Sequence, residues 1–242
     1  MTVRWLLLGA SALPDTDDWL GQDEKAILSE LRFPKRRAEW KLGRYAAKRA
    51  LSSRSGVEEL ARIEIIAAKD GAPEAFVDGR NMSYAISISH RDDVAACVVA
   101  EHGPVGCDLE AIEPRTTRFV HDFFTERERL AVDETAGAFR DRHVALTWSA
   151  KESVLKLLRV GLRRDTRSVE VLIDDPFSDA PGWSSLETTV HPEGRSLRGW
   201  WREADGLVLT VVSADESEME QIGQNPGSGS TCGMGSGPRR PS

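Results

Sequence analysis

The first residues in this chain that could do chemistry are two carboxylates set two apart in Val105-Gly106-Cys107-Asp108-Leu109-Glu110. Val105 to Leu109 reads as a short buried strand entered through Gly103-Pro104. Side chains alternate faces along a strand, so Asp108 and Glu110 project from the same side. Side by side they repel, and the site either keeps a proton or recruits a cation, most simply a hard, oxygen-seeking one such as Mg²⁺. A D-x-E pair alone also fits a solvated strand end, which is the commoner outcome on composition.

A second pair lies in Trp148-Ser149-Ala150-Lys151-Glu152-Ser153-Val154-Leu155-Lys156. Glu152 and Lys156 stand four apart, one turn from each other on one helix face; as a plain helix pair they are worth about 0.3–0.5 kcal/mol. His90 follows Ser89 at a strand end. A lone His is more often structural, but at a loop corner after a Ser it is a good phosphate donor. The last candidate is the basic run from Arg32 to Leu51, opened as a helix by Pro34. Steps of four, three and four put Arg37, Lys41, Arg44 and Lys48 on one face, with Trp40, Ala47 and Leu51 on another. Glu39 alone interrupts the positive charge. Salt-bridged helices alternate signs, so this cluster fits an awaited anion better than a solvated face.

The elements that must position these residues follow from periodicity and punctuation. Arg4 to Ala10 reads as a first strand, and Asp15 to Leu31 as a helix with Trp19, Leu20, Ile27, Leu28 and Leu31 apolar. Ile63 to Ala67 alternates and runs into a turn at Asp70-Gly71-Ala72-Pro73. Tyr84 to Ser89 and Val94 to Ala100 read as strands joined by a corner at His90-Arg91-Asp92-Asp93. Thr125-Glu126-Arg127-Glu128 has the form of a capping box and opens a helix. A longer helix covers Phe139 to Val160 and ends at Gly161. Strands follow at Val169 to Ile173, Leu186 to His191, Leu197 to Glu203 and Leu207 to Ser213. From Ala214 the chain turns acidic and then Gly/Ser/Pro-rich, which reads as a disordered tail over 214–242.

Composition narrows the class. The 242 residues carry 40% hydrophobic content and suffice for one large domain or two ordinary ones. No stretch approaches the roughly 18 consecutive apolar residues of a membrane span, and the apolar run Arg4 to Ala10 is too short for a signal peptide. Three cysteines, Cys97, Cys107 and Cys232, with no C-x-x-C spacing, give neither a disulfide framework nor a zinc site. The expected setting is the cytoplasm, with no membrane partner. A net charge of −7 argues against nucleic acid.

Taken in order, five motifs resemble one family, the Sfp-type 4′-phosphopantetheinyl transferases, and the basic opening is most similar to their enterobactin-type branch. The motifs are Lys35-Arg36-Arg37-Ala38-Glu39-Trp40 with Gly43-Arg44, Ser87-Ile88-Ser89-His90, Val105 to Glu110, Phe123-Phe124-Thr125-Glu126-Arg127-Glu128, and Trp148 to Ser153 with Lys156. The resemblance implies a pseudo-twofold α+β fold of two similar halves, each a small sheet packed on a long helix. An N-terminal half, 1–103, and a C-terminal half, 104–213, would divide near His102-Gly103-Pro104 and hold coenzyme A in the cleft between them. The sequence itself shows no internal repeat.

By the same resemblance, Asp108, Glu110 and Glu152 would hold Mg²⁺, and Glu152 would also act as the general base toward a serine hydroxyl of an apo acyl, aryl or peptidyl carrier protein. Lys156 would contact the coenzyme A diphosphate, and Arg36, Arg44, Ser89 and His90 the nucleotide phosphates. Lys151 would join the coenzyme A-binding set. The family often carries Lys or another basic or acidic residue inside the turn occupied here by Gly71-Ala72-Pro73, and Lys69 would substitute for it in the coenzyme A-binding set. The expected reaction moves 4′-phosphopantetheine from coenzyme A to the carrier protein and releases 3′,5′-ADP, in fatty-acid, polyketide or nonribosomal-peptide synthesis, with the enzyme a monomer. Coenzyme A brings roughly −4 of phosphate charge, which an acidic protein must oppose locally. A metal-dependent phosphodiesterase is the rival enzyme, but His102, His121, His143 and His191 fall in no H-x-D or H-x-H pattern. The other rival, a non-catalytic binder of carrier protein or coenzyme A, has no need of Asp108, Glu110, Glu152 and Lys156 together.

Overall fold

In the computed structural model, residues 2–176, 182–215 and 218–222 are described. The first half runs β1 (Thr2–Gly9), α1 (Gln22–Glu30), α2 (Pro34–Ser55), β2 (Ile63–Ala67), β3 (Pro73–Val77), β4 (Arg80–Asn81), β5 (Ala85–Arg91) and β6 (Val94–Ala100). The second half runs β7 (Val105–Ala111), α3 (Thr117–Phe123), α4 (Glu126–Asp133), α5 (Gly137–Leu157), β8 (Val169–Ile173), β9 (Ser184–Val190), β10 (Arg195–Ala204) and β11 (Leu207–Ser213). A last strand, β12 (Glu218–Gln221), returns to the first half and pairs in parallel with β1.

The architecture is α+β with two halves of the expected kind. One sheet has the order β12-β1-β6-β5 and carries α2; the other has the order β7-β11-β10-β9-β8 and carries α5. A small sheet of β2, β3 and β4 flanks the first half. Each long helix buries its apolar residues on its own sheet, Ala46, Ala47, Ala50 and Leu51 in one half and Leu146, Ala150, Val154 and Leu155 in the other. The edge strands β5 and β7 abut where the halves meet. Across that seam the Ser87 hydroxyl accepts from the Cys107 backbone N–H at 3.0 Å, so a buried donor at a sheet edge is not left unpaired.

The two halves share a buried device that the sequence does not display as a repeat. In the first, Lys48 of α2 and Glu24 of α1 form an ion pair with neither side chain exposed. Glu24 also accepts from the backbone N–H of Gly21 at 3.1 Å and of Ile65 in β2 at 3.0 Å. In the second, Lys151 of α5 pairs with Glu128 of α4 at 2.8 Å, and Glu128 accepts from the N–H of Thr125 at 2.7 Å and of Val171 in β8 at 2.8 Å. In both, a glutamate in the third position of a short helix caps that helix, ties it to the long helix, and holds the strand that follows. Every buried charge thereby finds a counter-charge and backbone partners.

Several expectations are corrected here. The first helix begins at Gln22, not Asp15, because the Glu24 carboxylate caps the N–H of Gly21; Trp19 and Leu20 are buried in the turn ahead of it. The strand holding His90 continues to Arg91, leaving Asp92 and Asp93 as a two-residue turn with Asp92 at φ 52°. The long helix stops at Leu157, and its left-handed terminating residue is Arg159 rather than Gly161. The chain is not free from Ala214 onward: β12 joins β1, and Ile222 is buried with its N–H bonded to the Trp5 carbonyl. The remainder of the expected tail, 223–242, lies outside the described residues. Among those described, no helix is long and apolar enough to cross a membrane.

Candidate active site

The site forms where α5 lies directly on β7, and one glycine allows it. A Cβ on Gly106 would stand 1.9 Å from the Ser153 carbonyl oxygen and 2.8 Å from the Leu157 nitrogen, so only a residue without one lets the helix backbone approach this strand. Small polar groups complete the contact: the Ser149 and Ser153 hydroxyls meet the Thr210 hydroxyl at 2.9 and 2.8 Å. Alternation along β7 sends Cys107 and Leu109 into the core and leaves Asp108 and Glu110 on the other face, as the motif predicts.

Lys156 ties this centre to the first half. Its ammonium donates to Asp108 Oδ1 at 2.7 Å, to the Ser89 hydroxyl at 3.0 Å and to the Cys107 carbonyl at 3.1 Å. The Ser89 hydroxyl in turn donates to the same Asp108 oxygen at 2.8 Å. Burial would lower the Lys156 pKa, but Asp108, Cys107 and Glu152 outweigh it and hold the ammonium above its ordinary value. The other oxygen of Asp108, Oδ2, is buried without a hydrogen-bond partner.

Glu110 accepts from the Trp148 indole N–H at 3.1 Å and from Arg115 at 3.3 Å, with Arg91 at 3.5 Å. Arg91, on the first half, also bridges to Glu113 at 2.8 Å. The Glu110 carboxyl is pushed up by burial and by Asp108 against these cations. Glu152 has no hydrogen-bond or ion-pair partner among the described residues. Burial first, then the charges of Asp108 and Glu110 opposed by Lys156, push its pKa up to about 7.

These groups fit a hard divalent cation in chemistry: oxygen donors only, two carboxyls that resist ionising together, and one orphaned buried oxygen. Among the described residues no three His, Cys, Asp or Glu side chains are already gathered around one point. Lys156 occupies one side of Asp108, and Trp148 and the arginines hold Glu110.

A cleft of about 550 Å³ opens between the halves, and Lys156 lines its wall. The turn from Asp70 to Glu74, β5 residues Ile86 to Ile88, and Arg159 and Arg163 are among the other residues that line it.

The remaining expected residues divide. His90 lies beside Glu39 at 3.3 Å, and Arg36 reaches the same carboxylate at 3.9 Å, so one glutamate is shared by two anion-binding candidates. Arg44 donates to the Ile65 carbonyl at 3.1 Å and stacks 4.9 Å over Trp40. Burial and the neighbouring Arg36 depress its pKa against the pull of Glu24. Lys69 is exposed in the loop after β2.

Lys151 is corrected. It is fully buried, bound to Glu128 and to the Thr166 carbonyl at 3.0 Å, and faces away from the cleft. Three of the four residues on the basic face are already partnered within the protein: Arg37 caps the end of α1 through the Leu28 and Leu31 carbonyls, Lys41 pairs with Asp17, and Lys48 with Glu24. Their counter-charges come from the segment preceding the helix, which a helical wheel cannot show. Sequence reasoning missed Trp148, Arg91 and Arg115 around Glu110; the signal available was Trp148 at one helical turn from Glu152 and Arg91 next to His90.

Two family models match successive stretches of this chain. The model of the 4′-phosphopantetheinyl transferase N-terminal domain matches residues 23–100, and that of the 4′-phosphopantetheinyl transferase superfamily matches residues 104–212. The chain is 34% identical over 95 residues to the 4′-phosphopantetheinyl transferase AcpT of Salmonella typhi, 39% of this chain and 44% of AcpT, so it spans less than half of that relative. It is 25% identical over 183 residues to the 4′-phosphopantetheinyl transferase HetI of Nostoc sp., covering 73% of this chain and 76% of HetI. A solved holo-(acyl-carrier-protein) synthase from Bacillus anthracis in complex with CoA (3′,5′-ADP) is similar at a TM-score of 0.35 and 21% identity, over 40% of this chain and 92% of that one. With family models matching both halves in order and together taking in most of the chain, the protein belongs to the 4′-phosphopantetheinyl transferase superfamily.

Proposed function

We propose that this protein transfers 4′-phosphopantetheine from coenzyme A to a serine of an apo acyl, aryl or peptidyl carrier protein. The observation that carries the reading is the juxtaposition of an unpartnered Glu152, its pKa near 7, with the Asp108–Lys156–Ser89 knot beside the cleft between the halves. A base with a pKa near the operating pH is half in its acceptor form and still basic enough to take a hydroxyl proton. In the proposed step the serine oxygen bonds to the pantetheine-side phosphorus and its proton passes to Glu152. The bond from that phosphorus to the bridging oxygen breaks, and 3′,5′-ADP departs. Lys156 holds positive charge beside the diphosphate, where such transfers need it most.

Asp108, Glu110 and Glu152 would hold Mg²⁺, which when bound supplies charge neutralisation on the diphosphate and its leaving oxygen. For that, Glu110 must exchange part of its Trp148, Arg91 and Arg115 contacts. Arg36, Arg44, Ser89 and His90 would bind the nucleotide phosphates, the first and last of these released from Glu39. Buried thiols at Cys97 and Cys107, free of any disulfide, suit a cytoplasmic setting.

The test is incubation with coenzyme A, Mg²⁺ and a panel of apo carrier proteins, read by intact mass. The expected result is a gain of one phosphopantetheine on at least one carrier, lost on chelation. A panel unmodified under all conditions overturns the proposal. Independently of turnover, Mg²⁺ should raise the Tm of the wild type and not that of Asp108→Ala.

A further inference from the structure

At the cleft's mouth the second half reaches across to the first. Arg159 donates to Asp70 Oδ2 at 2.7 Å, to Asp70 Oδ1 at 3.1 Å and to Glu74 at 2.9 Å. Arg163 donates to the Asp70 carbonyl at 3.3 Å and to the Arg159 carbonyl at 3.1 Å. All four residues line the same cleft as Lys156.

The backbone at Arg159 is unusual for what it carries. The N–H of Arg159 bonds to the Lys156 carbonyl and that of Val160 to the Leu155 carbonyl, the Schellman pattern that ends a helix. Its left-handed position is normally glycine, yet here it is an arginine at φ 58°, a conformation that a Cβ disfavours. Gly161, two residues on, is also left-handed, so the chain has a glycine at hand and does not use it at this turn. The placement returns the guanidinium over the turn at Asp70-Gly71-Ala72-Pro73, the place where a cation was expected from Lys69.

The contacts that hold Arg159 are strong in geometry but open to exchange. Its side chain is 44% exposed, and those of Asp70 and Glu74 are 35% exposed. Ion pairs so hydrated contribute little stability, and a multiply charged anion competes for the guanidinium on favourable terms.

We propose that Arg159, with Arg163 behind it, is a phosphate-binding residue of the cleft, and that Asp70 and Glu74 hold it in reserve until the nucleotide end of coenzyme A displaces them. The inference rests on the coenzyme A reading above and adds a residue and an exchange to it. In the free protein the carboxylates keep the Arg159 guanidinium aimed across the mouth, and the Asp70 and Arg159 carbonyls hold Arg163 behind it. When the ligand binds, its phosphate oxygens take the guanidinium and the partly exposed carboxylates turn to water.

The exchange predicts effects of opposite sign on ligand affinity. By titration calorimetry with coenzyme A and with 3′,5′-ADP, Arg159→Ala should raise Kd about tenfold, the loss of one or two charge-assisted hydrogen bonds. The double variant Asp70→Asn/Glu74→Gln should lower Kd severalfold, because the competitor has been removed. Both variants lose the same tie between the halves, so any fall in Tm is shared. If Arg159 is only a strap, affinity moves in the same direction in both variants or stays unchanged in Arg159→Ala, and the proposal is overturned. A wild type that modifies carrier proteins while Arg159→Ala binds coenzyme A normally sinks this inference alone. A wild type that binds no coenzyme A sinks the functional reading with it.

Discussion

At the scale of single residues the site is governed by carboxylates that cannot all ionise freely. Glu152 is raised from its ordinary 4.5 to about 7, first by burial and then by Asp108 and Glu110. Because the folded protein binds this proton more tightly than the unfolded chain, stability from this group falls as pH rises from 4.5 to 7 and stays reduced above that. Glu152→Gln should therefore raise the Tm at pH 8 and change it little at pH 4.5, with a gain on the order of 1–3 kcal/mol. The same substitution cannot accept a proton, so turnover should drop by roughly 10²–10⁴ and added Mg²⁺ or Mn²⁺ should not restore it. Under the proposed metal role, Asp108→Ala should lower metal occupancy and recover in part at high metal. If metal rescues both equally, Glu152 serves as a ligand and not as the base.

At the scale of elements, the closeness of α5 to β7 decides whether those residues meet at all. A Cβ at position 106 would stand 1.9 Å from the Ser153 carbonyl oxygen, far inside van der Waals contact, and backbone cannot give way as the tip of a side chain can. Gly106→Ala should push the helix off the strand and cost about 2–4 kcal/mol in urea unfolding, the range of severe overpacking. Activity should fall with it even where the variant remains folded, since Lys156 would lose its reach to Asp108 and Ser89. A variant with wild-type stability and turnover would show that α5 has slack against the sheet.

Over the whole molecule, the paired Glu–Lys devices give each half the same internal brace, and the ties through Arg91, Lys156 and Arg159 join the halves around the cleft. Burial depresses the pKa of both Lys48 and Lys151 despite their glutamates, so the braces hold charge at a cost. Lys151→Met strands Glu128 as an uncompensated buried charge and should cost about 3–5 kcal/mol. Adding Glu128→Gln removes that charge while keeping an oxygen for the Val171 N–H, and should return at least half of the loss in a double-mutant cycle. Additive losses would mean that the two side chains do not act as a pair.

Local periodicity carried much of this protein in its sequence. The two-residue alternation in Val105 to Glu110 put Asp108 and Glu110 on one face, the four-residue step put Glu152 and Lys156 on one turn, and Thr125 with Glu128 marked the start of a helix, all of which the fold contains. The motif order announced the family. What periodicity could not say was which charges are already answered. Lys151 and Lys156 lie five residues apart on one helix, and Arg37, Lys41, Arg44 and Lys48 share one face, yet Asp17, Glu24 and Glu128 answer Lys41, Lys48 and Lys151, while Lys156 meets Asp108 and Arg44 a backbone carbonyl. The same holds for the cation at Gly71-Ala72-Pro73, which arrives from Arg159 in the other half. A helix wheel names the residues on a face, whereas the partner opposite that face is fixed by contacts far apart in the chain, and only the folded arrangement chooses it.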